Sequence, residues 1–177
     1  MPDSPANERR FAFPETVDER AARLVATGVT AIGLTYLATG RALVLLPLLY
    51  GFAARVVAGP HFSPLALVVT RVVVPRLAGP TRPVPGPPKR FAQTIGLVCA
   101  TVAVAAEVLA LGGLATAVIA VLVVAATLEA AFGLCLGCVI FGWLQRVGVI
   151  PASVCEHCAD IRSRLAAASI GTPGRGD

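Results

Sequence analysis

The chain has 177 residues, of which 56% are hydrophobic and only 14% charged, and its net charge is +5. A soluble domain carries about a quarter charged residues, so an ordinary water-soluble globule is excluded. The arginines are scattered, with no basic, aromatic-laced surface, which excludes nucleic-acid binding as the reason for the positive charge.

The charge deficit is concentrated: residues 108–128 contain no charge at all. About 20 such residues cross a bilayer as a helix. Alanine, valine, leucine and glycine dominate, and no alternation in segments of about ten residues marks a β-barrel. The expected fold is therefore all-α, an integral membrane bundle of about four transmembrane helices. A short interfacial helix and a cytoplasmic C-terminal tail complete it.

Residues 1–21 form a polar N-terminal segment in which acids and bases are mixed. The apolar run that follows ends in Tyr36-Leu37-Ala38, where a cleavage site would prefer small residues, so the first span reads as a retained anchor. Residues 22–144 form the four-span membrane domain. The first span runs from Ala22 to Ala38, and Thr39-Gly40-Arg41 makes a tight turn. The second, Ala42 to Ala58, contains Pro47, a predicted kink. Both are close to the lower limit of about 17 residues, so they form a hairpin able to thin the bilayer locally.

Residues Ser63 to Leu77 are apolar but interrupted by Arg71, Pro75 and Arg76, too short and too charged to span. They read as an interfacial helix or a segment that dips in and returns. Gly79 to Pro88 hold five prolines and read as a stiff, extended linker. The third span covers Ala92 to Leu111; after Gly112-Gly113 the fourth runs from Leu114 to Trp143. Residues 145–177 form a tail with a second cysteine pair.

Lysine and arginine set the orientation. They precede the first span, fill the long middle loop and follow the fourth span, whereas the two other loops hold only Arg41. Both termini are expected in the cytoplasm, in a multi-pass protein of the cell membrane whose principal partner is the lipid bilayer. A four-span core this small is often completed by further copies, so an oligomer is compatible with it.

Two cysteine pairs, Cys135-Leu-Gly-Cys138 and Cys155-Glu-His-Cys158, are the clustered reactive groups. A rise of about 1.5 Å per residue places Cys135 about 30 Å along the fourth span, at its cytoplasmic boundary. Near the C-terminal end of a helix the dipole disfavours a thiolate, which weakens a thioredoxin-like reading unless the helix breaks at Gly133 or Gly137. The pattern C-x2-C-x16-C-x2-C falls in the range of four-cysteine zinc sites. Zinc held by Cys135, Cys138, Cys155 and Cys158, with His157 a weaker ligand, is the alternative to redox chemistry at Cys135 and Cys138. Cys99 reads as a packing residue, and His61 as a solvated side chain.

Glu107 lies near the outer end of the third span, where it reaches water. Glu129 lies about 22 Å along the fourth span, where a charge costs about 2.5–3.5 kcal/mol. It is expected neutral or hydrogen-bonded to Thr127, Thr101 or Thr94, with proton handling for a small solute as the functional alternative. Nine residues separate it from Cys138, which on one helix sets the two on opposite sides. No phosphate loop, dinucleotide fingerprint, serine elbow or zinc-protease helix is present, so an enzyme is not favoured.

Four blocks carry a family resemblance. They are Pro60-His61-Phe62-Ser63-Pro64, Val74-Pro75-Arg76-Leu77 with Gly79-Pro80, Pro88-Lys89-Arg90-Phe91-Ala92-Gln93, and Ala131-Phe132-Gly133-Leu134-Cys135-Leu136-Gly137-Cys138. Over roughly residues 17–144 the chain resembles actinobacterial-type members of the family called domain of unknown function 4395, small integral membrane proteins. The resemblance implies that Cys135 and Cys138 are that family's paired cysteines. It also implies association with thioredoxin-like or sulfurtransferase proteins. The function expected is thiol redox or sulfur relay at the cytoplasmic membrane face. A zinc-stabilised scaffold and a small-solute transporter component are the alternatives.

Overall fold

The computed structural model describes residues 16–58, 62–77 and 82–151. A short strand β1, Thr16–Asp18, runs straight into α1, Glu19–Thr39. Asp18 caps the helix, its carboxylate accepting from the Arg20 N–H at 3.0 Å, and Glu19 favours the positive end of the dipole. The helix closes at Gly40, whose φ of +63° is left-handed.

After a 3₁₀ turn at Ala42–Val44, α2 covers Leu45–Ala58. Pro47 thus stands at the start of α2 rather than mid-helix, where a missing N–H interrupts little. The interrupted apolar segment is helical, as expected. Ser63 caps α3, Pro64–Val68, which continues as a π turn, Val69–Val73, and a 3₁₀ turn, Val74–Arg76. Ser63, Ala66 and Val69 are buried, and Ala66 and Val69 pack on Ala21 and Val25 of α1.

From Pro83 on, the proline-rich linker is regular secondary structure rather than an extended spacer. Pro83–Pro85 forms β2, antiparallel to β1 with Thr16 opposite Pro85. α4, Gly86–Val108, then starts at Gly86 instead of Ala92, with prolines in its first turn, where the N–H that proline lacks would have no intrahelical acceptor.

The predicted fourth span is two helices, which corrects the single run from Leu114 to Trp143. α5, Gly112–Phe132, ends at Gly133 (φ +70°), and α6, Leu136–Arg146, begins three residues later. Arg23 bonds the last carbonyls of α5, Nε to Ala130 O at 3.1 Å and Nη2 to Ala131 O at 2.7 Å. A helix continuing through Gly133 would need those acceptors for its own amides.

Helices α1, α2, α4 and α5 run up and down beside one another. Gly33 lets α1 approach Val123 of α5, and Gly96 lets α4 approach the Phe52 ring, where an added Cβ would come within 2.2 Å. Ala100, Ala103 and Ala106 are buried at every third position of α4, the small-residue packing of membrane helices. Glu107, expected to reach water, is half-exposed and accepts a hydrogen bond from the Tyr36 hydroxyl. Outward-facing Val98, Val121 and Val124 are each more than half exposed, a surface that suits lipid better than water. Among the described residues three helices, α1, α4 and α5, are long and apolar enough to cross a membrane. α2, with 14 residues, is apolar but shorter than the usual minimum of about 17, so the described residues hold three helices of spanning length and one shorter apolar helix.

Candidate functional site

The helix break decides the chemistry of the first cysteine pair. Cys135 is the N-cap of α6, extended at φ −84° and ψ 101°, and its sulfur accepts from the Cys138 N–H at 3.4 Å. The Cys138 thiol also points at Cys135 Sγ, with the sulfurs 2.6 Å apart. The pair therefore sits at the start of a helix, not near the end of one. The dipole there stabilises a thiolate, the outcome that the sequence reading tied to a helix break at Gly133 or Gly137.

α6 is pinned to the first turns of α4. A Cβ on Gly137 would lie 2.5 Å from the Ala92 Cβ, and Phe141 meets Phe91 edge-on at 5.6 Å between ring centres. This places the sulfurs beside Lys89, which is buried and ion-paired with Glu129. Glu129 belongs to the last turn of α5, at the same end of the bundle as Lys89. The expected threonine partners are occupied elsewhere. Thr127, Thr101 and Thr94 donate to Val123, Leu97 and Arg90 carbonyls on their own helices, at 2.7, 2.8 and 3.0 Å.

The fields at the sulfurs are unequal. The hydrogen bond from Cys138 holds the Cys135 thiol below its ordinary range; burial and the Glu129 carboxylate oppose this, and the Lys89 ammonium supports it. Cys138 is pushed upward because its proton is held on Cys135 Sγ and because it is buried. One sulfur is thus favoured as the nucleophile and the other as its proton donor. Since the chain turns at Gly133, Glu129 acts on both sulfurs, contrary to the expectation that it faces away from Cys138.

Two residues escaped the sequence reading. Lys89 was counted as a loop charge, although two prolines before it signalled a helix start. Arg55 is the one charge inside the apolar run of α2, and it is only 5% exposed. Its Nε donates to Gln93 Oε1 at 2.8 Å and its Nη1 to Ser63 Oγ at 3.1 Å.

Cys155, Cys158, His157 and His61 lie outside the described residues, as does the proposed four-cysteine zinc set. Among the described residues no three His, Cys, Asp or Glu side chains group as a metal site. Cys99 packs against the core, partly buried.

Apolar helices of membrane-crossing length around a paired-cysteine helix start define a small helical protein of membrane type. A family model described as domain of unknown function (DUF4395) matches residues 17–146, and the chain belongs to that family. No curated protein and no solved structure matches it.

Proposed function

We propose that the protein is a multi-pass membrane thiol–disulfide exchange protein, with Cys135 and Cys138 at the cytoplasmic face of the cell membrane. The observation that carries this reading is the sulfur pair 2.6 Å apart at a helix start, beside a buried ammonium. Helix dipole, hydrogen bond and cation all favour a thiolate at Cys135.

The orientation follows from charge. Arg23, Arg55, Lys89 and Arg90 lie at the bundle end that carries the cysteines, and the opposite turns hold only Arg41. The positive-inside tendency sets the cysteine end in the cytoplasm.

In the reaction, the Cys135 thiolate attacks a disulfide of a soluble dithiol protein, such as a thioredoxin-like protein. A mixed disulfide forms and the partner's first thiolate leaves. Cys138 gives up its proton and attacks Cys135 Sγ, closing the Cys135–Cys138 disulfide and expelling the partner's second thiolate. Two electrons pass to the partner; the reverse sequence returns them. Cys135 is only 7% exposed, so the partner reaches it across the exposed Leu134 and Leu136.

The test uses the full chain in detergent with Cys155 and Cys158 changed to serine. It is equilibrated with glutathione or dithiothreitol buffers spanning about −120 to −300 mV and then alkylated. The expected result is the reversible loss of two thiols, abolished by Cys135→Ser or Cys138→Ser. Thiols that stay reduced across the whole range refute the proposal. An impermeant maleimide that labels the pair from outside intact cells refutes the orientation.

A further inference from the structure

A cavity of about 360 Å³ lies between α1, α2 and α3, away from the cysteines. Its walls are mostly apolar, among them Val29, Ile32, Leu48 and Val68; the polar residues lining it are Arg55, Ser63 and Tyr50, and the exposed Tyr50 hydroxyl donates to the Phe62 carbonyl. Arg55 and Ser63 are buried, at 5% and 0% exposure.

The charge of Arg55 is the anomaly. Among the described residues no carboxylate pairs with it. Glu129 acts on it only through its field and is already joined to Lys89. A buried cation without a counter-ion is costly. The guanidinium carries five donors, and the bonds to Gln93 and Ser63 use Nε and Nη1. Nη2 has no acceptor among the described residues. Gly51, one turn back on α2, lines the cavity beneath it; a Cβ there would stand 3.2 Å from Nη1 and 3.9 Å from Nη2. The Phe52 ring lies 4.6 Å from the guanidinium carbon, a cation–π contact that offsets only part of the burial cost, and the missing side chain at Gly51 leaves the guanidinium open to the cavity on that side.

The arrangement is polarised like an amphiphile. Pro47, Gly51 and Arg55 recur every four residues, so they follow one face of α2 for about 12 Å. Arg55, through Gln93, stands at the bundle end marked by Lys89, and Pro47 lies deeper. The volume is in the usual range of ligand sites, about 300–1,000 Å³. We propose that this cavity binds a single-chain anionic amphiphile, its carboxylate or phosphate on Arg55 and its alkyl chain running along α2 towards Pro47.

The test reconstitutes the full chain in neutral lipid and photolabels it. The probes are a medium-chain diazirine fatty acid, the alkyl phosphate with the same chain, and the matching alcohol. Labelling by at least one anionic probe is expected on α1, α2 and α3, at least about tenfold above the alcohol, the scale of one charge-assisted hydrogen bond. Preference for the fatty acid or for the phosphate identifies a free fatty acid or a phospholipid-type head as the source; either supports the site. Arg55→Gln should abolish the preference for anions. Val68→Trp, which fills the cavity from its exposed rim without touching Arg55, should reduce labelling by all three probes even if Arg55→Gln fails to fold. Equal labelling by acid, phosphate and alcohol, or labelling spread over lipid-facing positions such as Val98 and Val121, overturns the proposal. So does labelling of α2 that survives Val68→Trp.

Discussion

Lys89→Met and Glu129→Gln separate the structural role of the buried ion pair from its action on the sulfurs. The side chains are 10% and 17% exposed, so water screens them little. Removing one partner of such a pair leaves a lone buried charge and costs about 3–5 kcal/mol. For a chain of this size that lowers the midpoint of thermal unfolding by roughly 6–20 °C. Glu129→Gln leaves the ammonium uncompensated and should cost a similar amount. The double change Lys89→Met with Glu129→Leu should recover most of the loss, because an apolar pair of similar volume is about neutral or better.

The effects on Cys135 run in opposite directions. Lys89 lowers its pKa and Glu129 raises it. The wild-type Cys135 thiolate should persist below the ordinary thiol range near about 8.5, so alkylation stays fast at lower pH. Lys89→Met moves the midpoint of the alkylation profile up; Glu129→Gln moves it down. The assay is alkylation of the Cys135 peptide against pH, read by mass spectrometry beside thermal unfolding of the same samples. Two variants destabilised alike but shifted oppositely support the electrostatic reading. Shifts of one sign, or none, refute it.

Gly133→Ala places a Cβ-bearing residue at φ +70°, which costs about 1–2 kcal/mol. Among the described residues that Cβ would meet the far end of the Glu19 side chain, Oε1 at 2.9 Å, and Arg23 Cδ at an ordinary 3.8 Å, so thermal unfolding should show the dihedral cost and little more. Gly137→Ala meets the Ala92 Cβ at 2.5 Å and its backbone Cα at 2.6 Å, neither of which can yield. It should cost about 1–3 kcal/mol by overpacking and move α6 off α4, slowing closure of the Cys135–Cys138 disulfide under a fixed oxidant.

The helices that could be read from sequence are those whose limits are local. The turn at Thr39-Gly40-Arg41 and the apolar stretches of α1, α4 and α5 depend on composition and on glycine, both visible in the chain. The helix after Ser63 was visible only as one of two readings, because an apolar stretch broken by Arg71, Pro75 and Arg76 suits an interfacial helix and a dipping segment alike. What escaped depends on distant partners. β2 exists because Pro83–Pro85 meets Thr16–Asp18, a pairing that no local pattern records. A proline run suits an extended linker, a strand edge or a first helical turn equally well, and only packing chooses among them.

The site shows the same division more sharply. Both cysteines could be read as a pair, yet the sign of the field they feel could not, because it turns on one backbone angle. Glycine inside an apolar run is ordinary in membrane helices, so Gly133 and Gly137 could be named as possible breaks but neither could be chosen. The stop is enforced from outside: Arg23, far away in the chain, takes the carbonyls of Ala130 and Ala131, and the left-handed glycine turns the backbone. With that turn, Cys135 passes from the negative end of one helix to the positive end of another. Glu129 passes from the far face of the cysteine helix to the shell around its sulfurs, and Lys89 becomes its partner. The reactivity of the cysteines is therefore a property of the α1–α5 contact as much as of the motif itself.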